Sequence, residues 1–130
     1  MAVALHALSK LLTAFQRLMT ALDPTAKSIA DLDNLLQLLC KGVKTSTPWE
    51  RALHELLTQA DRQVLIVRLS VSMDASSTEL IDSARVLFES LRAADLHLSK
   101  GRCDESTRAA VKLAKGLAQN ILKRLQSTES

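Results

Sequence analysis

Apolar residues recur every three or four positions along nearly the whole chain, which is the period of helices that bury one face. In residues 2–22 the stripe is Ala4, Leu8, Leu11, Phe15, Leu18 and Leu22, widened by Leu5, Leu12 and Met19. His6, Lys10, Gln16 and Arg17 take the other side. Asp23-Pro24 then reads as a stop and a start, because Asp caps a helix and Pro presets the φ of its first turn. Ser28 with Asp31 offers a second possible start for the next segment. That segment carries Ile29, Leu32, Leu36, Leu39 and Val43, with Gly42 as its stop.

The clearest local signal is Thr47-Pro48-Trp49-Glu50. Thr is a natural N-cap, Pro fits the first helical position, and Glu stands where a capping box needs it. The stripe behind it is Trp49, Leu53, Leu56, Ala60, Val64, Val67 and Val71. From Val67 to Met73 the pattern alternates like a strand, but no second strand exists to pair with it, so it reads as helix running into a turn. Ser76-Ser77-Thr78-Glu79 repeats the capping box. It opens a stripe of Leu80, Ala84, Leu87, Leu91, Ala94 and Leu98, with Ile81 and Phe88 beside it. Lys100-Gly101 ends this segment, with Gly suited to a left-handed closing position. Asp104 or Ser106 opens the last segment, whose stripe is Ala110, Leu113, Ala114, Leu117, Ile121 and Leu125. Short turns between long helices force neighbours to run antiparallel. The expected fold is therefore all-α, an antiparallel bundle of four to five amphipathic helices in one domain over residues 1–126, with 127–130 frayed.

Composition agrees with that reading and narrows the core. The 130 residues are 47% hydrophobic but only 2% aromatic, with no Tyr, so Leu, Ala, Val and Ile must fill the interior. Three Gly and two Pro are too few for the many turns of an all-β domain. Cys40 and Cys103 lack CxxC spacing and cannot make a disulfide scaffold, which points to a reducing compartment. Cys40 falls near an apolar stripe, and Cys103 sits in a polar turn. No apolar run reaches the roughly 18 residues of a membrane span. Together these point to an intracellular protein, cytoplasmic or nuclear, with no membrane partner. Residues 1–22, free of acids and carrying Lys10 and Arg17, resemble a mitochondrial presequence in charge and amphipathicity, so that address stays open.

Charge marks out one surface. Residues 1–98 hold 10 basic and 11 acidic side chains, net −1, and residues 99–130 hold 7 and 3, net +4. Arg108, Lys112, Lys115 and Lys123 share one helical face opposite the expected apolar stripe, and Lys100 and Arg102 precede them. Such a row can neutralise phosphates of a nucleic acid or another polyanion. It lacks the neighbouring aromatics on which single-stranded bases stack. The competing reading is a solvated face whose cations suit the C-terminal end of a helix dipole.

Three local patterns resemble known motifs. Leu32, Asp33, Leu35, Leu36 and Leu39 fit LDxLLxxL and so resemble the LD motif of paxillin-like adaptors. Leu8 to Leu12, Leu35 to Leu39 and Leu53 to Leu57 resemble the LxxLL boxes of coactivators. Both motif types work as short helices whose leucines enter a partner's groove, whereas here the same leucines suit a core. His97-Leu98-Ser99-Lys100-Gly101 resembles the HxxKG of histidine-phosphotransfer domains, which implies an exposed phosphate-accepting His97. The Leu/Ala/Ser-rich helices also look like vinculin, talin and focal-adhesion-targeting bundles. Lys112-Leu113-Ala114-Lys115 is similar to the last helix of the elongation-factor TFIIS N-terminal domain, where Ile121 replaces its usual Trp. These likenesses assign no family.

No glycine-rich phosphate loop, nucleophile elbow or HExxH occurs, and His6 and His54 have no second ligand at metal spacing. The expectation is a noncatalytic module without cofactor or metal, of adaptor or scaffold type. It would meet another protein through a helix face or interhelical groove, with a homodimer possible through an exposed stripe. Polyanion binding through the last helix is the alternative, and histidine phosphotransfer the second alternative.

Overall fold

A computed structural model describes residues 24–73, 75–101 and 103–129, with side chains through Ser127. The helix expected over 2–22 and the candidate Arg102 lie outside the described residues. What is described is all-helical, with no strand, and comprises four helices packed against one another. They are α1 (24–42), α2 (Pro48–Ser72), α3 (Ser77–Ser99) and α4 (Glu105–Glu129).

Capping sets the starts. At α2 the capping box is complete: Glu50 N–H donates to Thr47 Oγ1 (3.2 Å), and Thr47 N–H donates to Glu50 Oε1 (3.0 Å). At α3 Ser76 accepts from Glu79 N–H at 3.3 Å, and that is the half of the box that forms. Asp104 caps α4, accepting from Thr107 N–H at 3.1 Å and from the Thr107 hydroxyl at 2.8 Å. These hydrogen bonds, the Thr107 side chain first, hold the Asp104 carboxyl below its ordinary value, because they favour the charged form. The strand-like stretch after Val67 continues α2 as helix to Ser72. Its alternating residues find no ladder partner among the described residues, whereas helix satisfies their backbone.

Among the described residues the buried hydrophobic side chains are Leu, Ala, Val and Ile, in keeping with the scarcity of aromatics. Thr25, Ile29, Leu32, Leu36 and Leu39 of α1 are buried. So are Leu53, Leu57, Ala60, Val64 and Val67 of α2, and Ile81, Ala84, Leu87, Leu91, Ala94 and Leu98 of α3. In α4 the buried row is Val111, Ala114, Ala118, Ile121 and Leu125. That row corrects the expected stripe: Leu113 is 58% exposed and Ala110 and Leu117 pack only at the edge, while Val111 and Ala118 take the centre. The helix thus turns the small Ala114 and Ala118 inward and leaves the larger Leu113 outside. Leu56 and Leu80 similarly sit at the margin, with Leu57 and Ile81 inside.

Polar ties join neighbouring helices around the set. Asp33 of α1, 3% exposed, meets Arg68 of α2 at 3.2 Å and accepts from Gln37 at 3.3 Å. Trp49 in the first turn of α2 stacks on His97 in the last turn of α3, with centroids 4.8 Å apart. Lys115 of α4 pairs with Asp95 of α3 at 2.9 Å, and Arg124 near the end of α4 donates to Ser28 near the start of α1 at 3.1 Å. Gly101, which closes α3, does not adopt a left-handed conformation; the cap is Lys100 at φ −98°. Its missing side chain makes room instead, since a Cβ there would run into the Trp49 indole.

Candidate cationic groove between α3 and α4

Residues a turn apart on a helix share a face. On α3 this gathers Arg92, Asp95, Leu96 and Ser99, and on α4 Arg108, Lys112 and Lys115. The two rows line one open groove of ≈ 400 Å³, with Leu98 at its base. Four cations thus converge there against one carboxylate, Asp95. Lys115 is half-buried and held by Asp95 at 2.9 Å. Arg92 leans back on Glu89 at 3.5 Å, an exposed pair worth little. Arg108 lies half-buried in the first turns of α4, and Lys112 is exposed. Leu96, 58% exposed, adds an apolar rim.

The groove brings together three of the six cations the sequence marked. Lys100 and Lys123 are exposed outside it. Lys115 differs from expectation: it does not stand opposite the buried row but beside it, because α4 is turned to bury Val111 and Ala118. Reversing its charge would set a Glu against Asp95 in a half-buried site and cost stability. The α3 half of the groove is not legible from charge along the chain, because Glu89 and Asp95 outweigh Arg92 in a running sum. Its signal was the spacing of Arg92, Asp95 and Ser99 along one edge of the Leu87–Leu91–Leu98 row.

The other candidate motifs fold differently from their resemblances. Leu32, Asp33, Leu36 and Leu39 are all buried and Leu35 is half-buried, so the LD-like pattern belongs to the core and is not displayed. The same holds for the LxxLL of Leu53 to Leu57, whose end residues are 2% and 0% exposed. The pattern at Leu8 to Leu12 lies outside the described residues. His97 is no exposed acceptor: its ring is stacked on Trp49, and Nε2 lies 3.0 Å from the Trp49 carbonyl oxygen. The helix also stops at Ser99 rather than continuing past Gly101.

Both cysteines are free and half-buried, and burial is the main cause that pushes each thiol above its ordinary pKa. The thiolate is the reactive form, so neither is an activated nucleophile. Among the described residues, no cluster of three or more His, Cys, Asp or Glu is placed to hold a metal ion. Among them also, no helix is long and apolar enough to cross a membrane. Comparison with protein-family models, with curated proteins and with solved structures gives no match.

Proposed function

We propose that this chain is a noncatalytic protein-interaction module of adaptor or scaffold type. In this reading the helices form an antiparallel bundle, and the α3–α4 groove receives an acidic, amphipathic helix of a partner protein. The observation that carries it is the convergence of Arg92, Arg108, Lys112 and Lys115 around Leu96 and Leu98. Cations beside apolar side chains suit a helix that presents carboxylates next to leucines, the groove mode of helix recognition. Antiparallel order is supported by the contacts of Trp49 with His97 and of Ser28 with Arg124, each joining an early turn to a late one.

The second reading, a nucleic acid or other polyanion in the same groove, is favoured by the net +4 of residues 99–130. No aromatic among the described residues lines the groove, which disfavours stacking in that contact. One titration separates the two. The probes are a labelled amphipathic peptide of about 18 residues, five helical turns, with Glu and Leu on adjoining faces, and duplex RNA and DNA, each at low and moderate salt. The peptide is expected to bind, and Arg108→Glu with Lys112→Glu to weaken it by roughly tenfold or more. Neither residue forms an ion pair among the described residues. Nucleic-acid binding that collapses with salt and with the double variant, without peptide binding, establishes the second reading. Binding of neither probe removes the groove from consideration.

A further inference from the structure

The cations of the α3–α4 groove are not equally neutralised. Asp95 holds Lys115 at 2.9 Å, and Glu89 faces Arg92 at 3.5 Å. Arg108 and Lys112, two turns and one turn before Lys115 on α4, form no ion pair among the described residues. A rise of about 1.5 Å per residue sets Arg108 about 10 Å along the axis from Lys115, so the two cations make a patch of their own. Asp104 commits its carboxyl oxygens to Thr107, and Glu105 is exposed and does not pair with Arg108. Ser99, in the same groove, donates its hydroxyl proton to the Leu96 carbonyl at 2.6 Å and brings no negative charge. Arg108 is half-buried and Lys112 exposed, so one end of the groove holds two adjacent cations with unused donors.

We infer that the partner helix received in this groove carries a phosphate monoester, on a serine or threonine, at the turn that meets Arg108 and Lys112. The inference rests on the groove reading above and specifies its charged contact. A phosphorylated hydroxyl carries about −1.5 to −2 charges at neutral pH on three strong acceptor oxygens. One such group answers two cations a single turn apart, whereas a carboxylate answers one, as Asp95 does for Lys115. Arg108 supplies the planar fork that takes two phosphate oxygens at once, and Lys112 the compact point charge beside it. Leu96 and Leu98 meet the apolar side chains that flank the phosphorylated residue. A nucleic-acid phosphate bears a single charge, and a lipid headgroup brings no helix face for the leucines. A phosphorylated amphipathic helix fits both halves of the site.

The test titrates the full chain with the Glu/Leu peptide in two forms, identical except for Ser or phosphoserine at one central position of the charged face. The phosphorylated form is expected to bind roughly tenfold tighter. Arg108→Lys keeps the charge and loses the fork, so it should leave the Ser form within about twofold and remove most of the gain. Lys112→Gln must shrink the gain as well, which keeps the test decisive if circular dichroism shows Arg108→Lys misfolded. Lys123→Gln, exposed outside the groove, is the control that leaves the gain intact. Lowering the pH from about 7.5 to about 5.5 protonates the phosphate, whose second pKa is about 6, and should diminish the gain while the Ser form binds as before. Equal affinity for the two forms overturns the phosphate inference and leaves the groove reading standing. Binding of neither form overturns both. A gain that survives Arg108→Lys and Lys112→Gln puts the phosphate elsewhere and overturns the inference too. So does tighter binding to duplex RNA, or to vesicles of phosphatidylcholine and phosphatidic acid, than to the phosphopeptide.

Discussion

Asp61 carries the least comfortable charge in the described structure. Burial, joined by the neighbouring Asp33, raises its pKa from 3.8 to about 6, and its Oδ1 is buried without a hydrogen-bond partner. The folded state therefore holds the proton more tightly than the unfolded chain does. Stability from this group is complete below the unfolded value and is lost as pH rises through about 6. Asp61→Asn keeps the shape and cannot ionise, while Asp33 keeps Arg68 as its partner. Urea denaturation is expected to find the variant equal to wild type near pH 4 and more stable near pH 7.5. The gain is on the order of 1 kcal/mol after discounting for partial exposure. A gain of the same size at both pH values would show that packing, not ionisation, is responsible. Gly101 poses the opposite kind of constraint, steric rather than electrostatic. Gly101→Ala must displace the Trp49 ring from His97 and is expected to cost about 1–3 kcal/mol in a chemical melt. Gly42→Ala, where a Cβ meets nothing within 4 Å, serves as the control.

At the scale of the helix, the decisive quantity is which face turns inward. All four described helices were legible in the sequence, because capping residues and a three-four apolar period both announce a helix locally. The rotation of α4 was not. Leu113 and Val111 compete for the interior on nearly equal terms by hydropathy, and Val111 enters it beside the buried Ala114 and Ala118, a choice that depends on the facing helices as much as on this one. Val111→Ala is therefore expected to cost about 1–3 kcal/mol, and Leu113→Ala to stay within about 0.5 kcal/mol, the range of surface changes. Equal losses in thermal or urea melts would return α4 to the orientation first expected. The same argument explains the groove. Arg108, Lys112 and Lys115 were visible as a row on one helix, but a groove needs two walls, and Arg92 and Ser99 join them only through packing.

Over the whole molecule, an apolar core of unusual uniformity is surrounded by a few specific contacts that fix neighbours. Leu, Val and Ala specify burial without specifying register, since they pack interchangeably when volume is kept. Asp33–Arg68, Lys115–Asp95 and Trp49–His97 supply what the core lacks: each is satisfied at one alignment of its two helices. Residues 33 and 68, or 95 and 115, are far apart in sequence, so no local pattern foretold those pairs. Nothing in the order of residues announced that Asp33 would serve α2 rather than a partner protein.

The position of Trp49 has a practical consequence. It is the chain's single indole, packed at one end of the described helices against His97 and Gly101, while among the described residues no aromatic lines the cavity at the opposite end, around Ile29, Val71 and Leu80. Its emission is thus an optical reporter of one pole, whereas ellipticity averages every turn. If the helices melt cooperatively, the two signals must trace the same midpoint in urea. If the Trp49 pole opens first, the fluorescence curve will lead, and the gap between the curves will measure how far the two poles are independent.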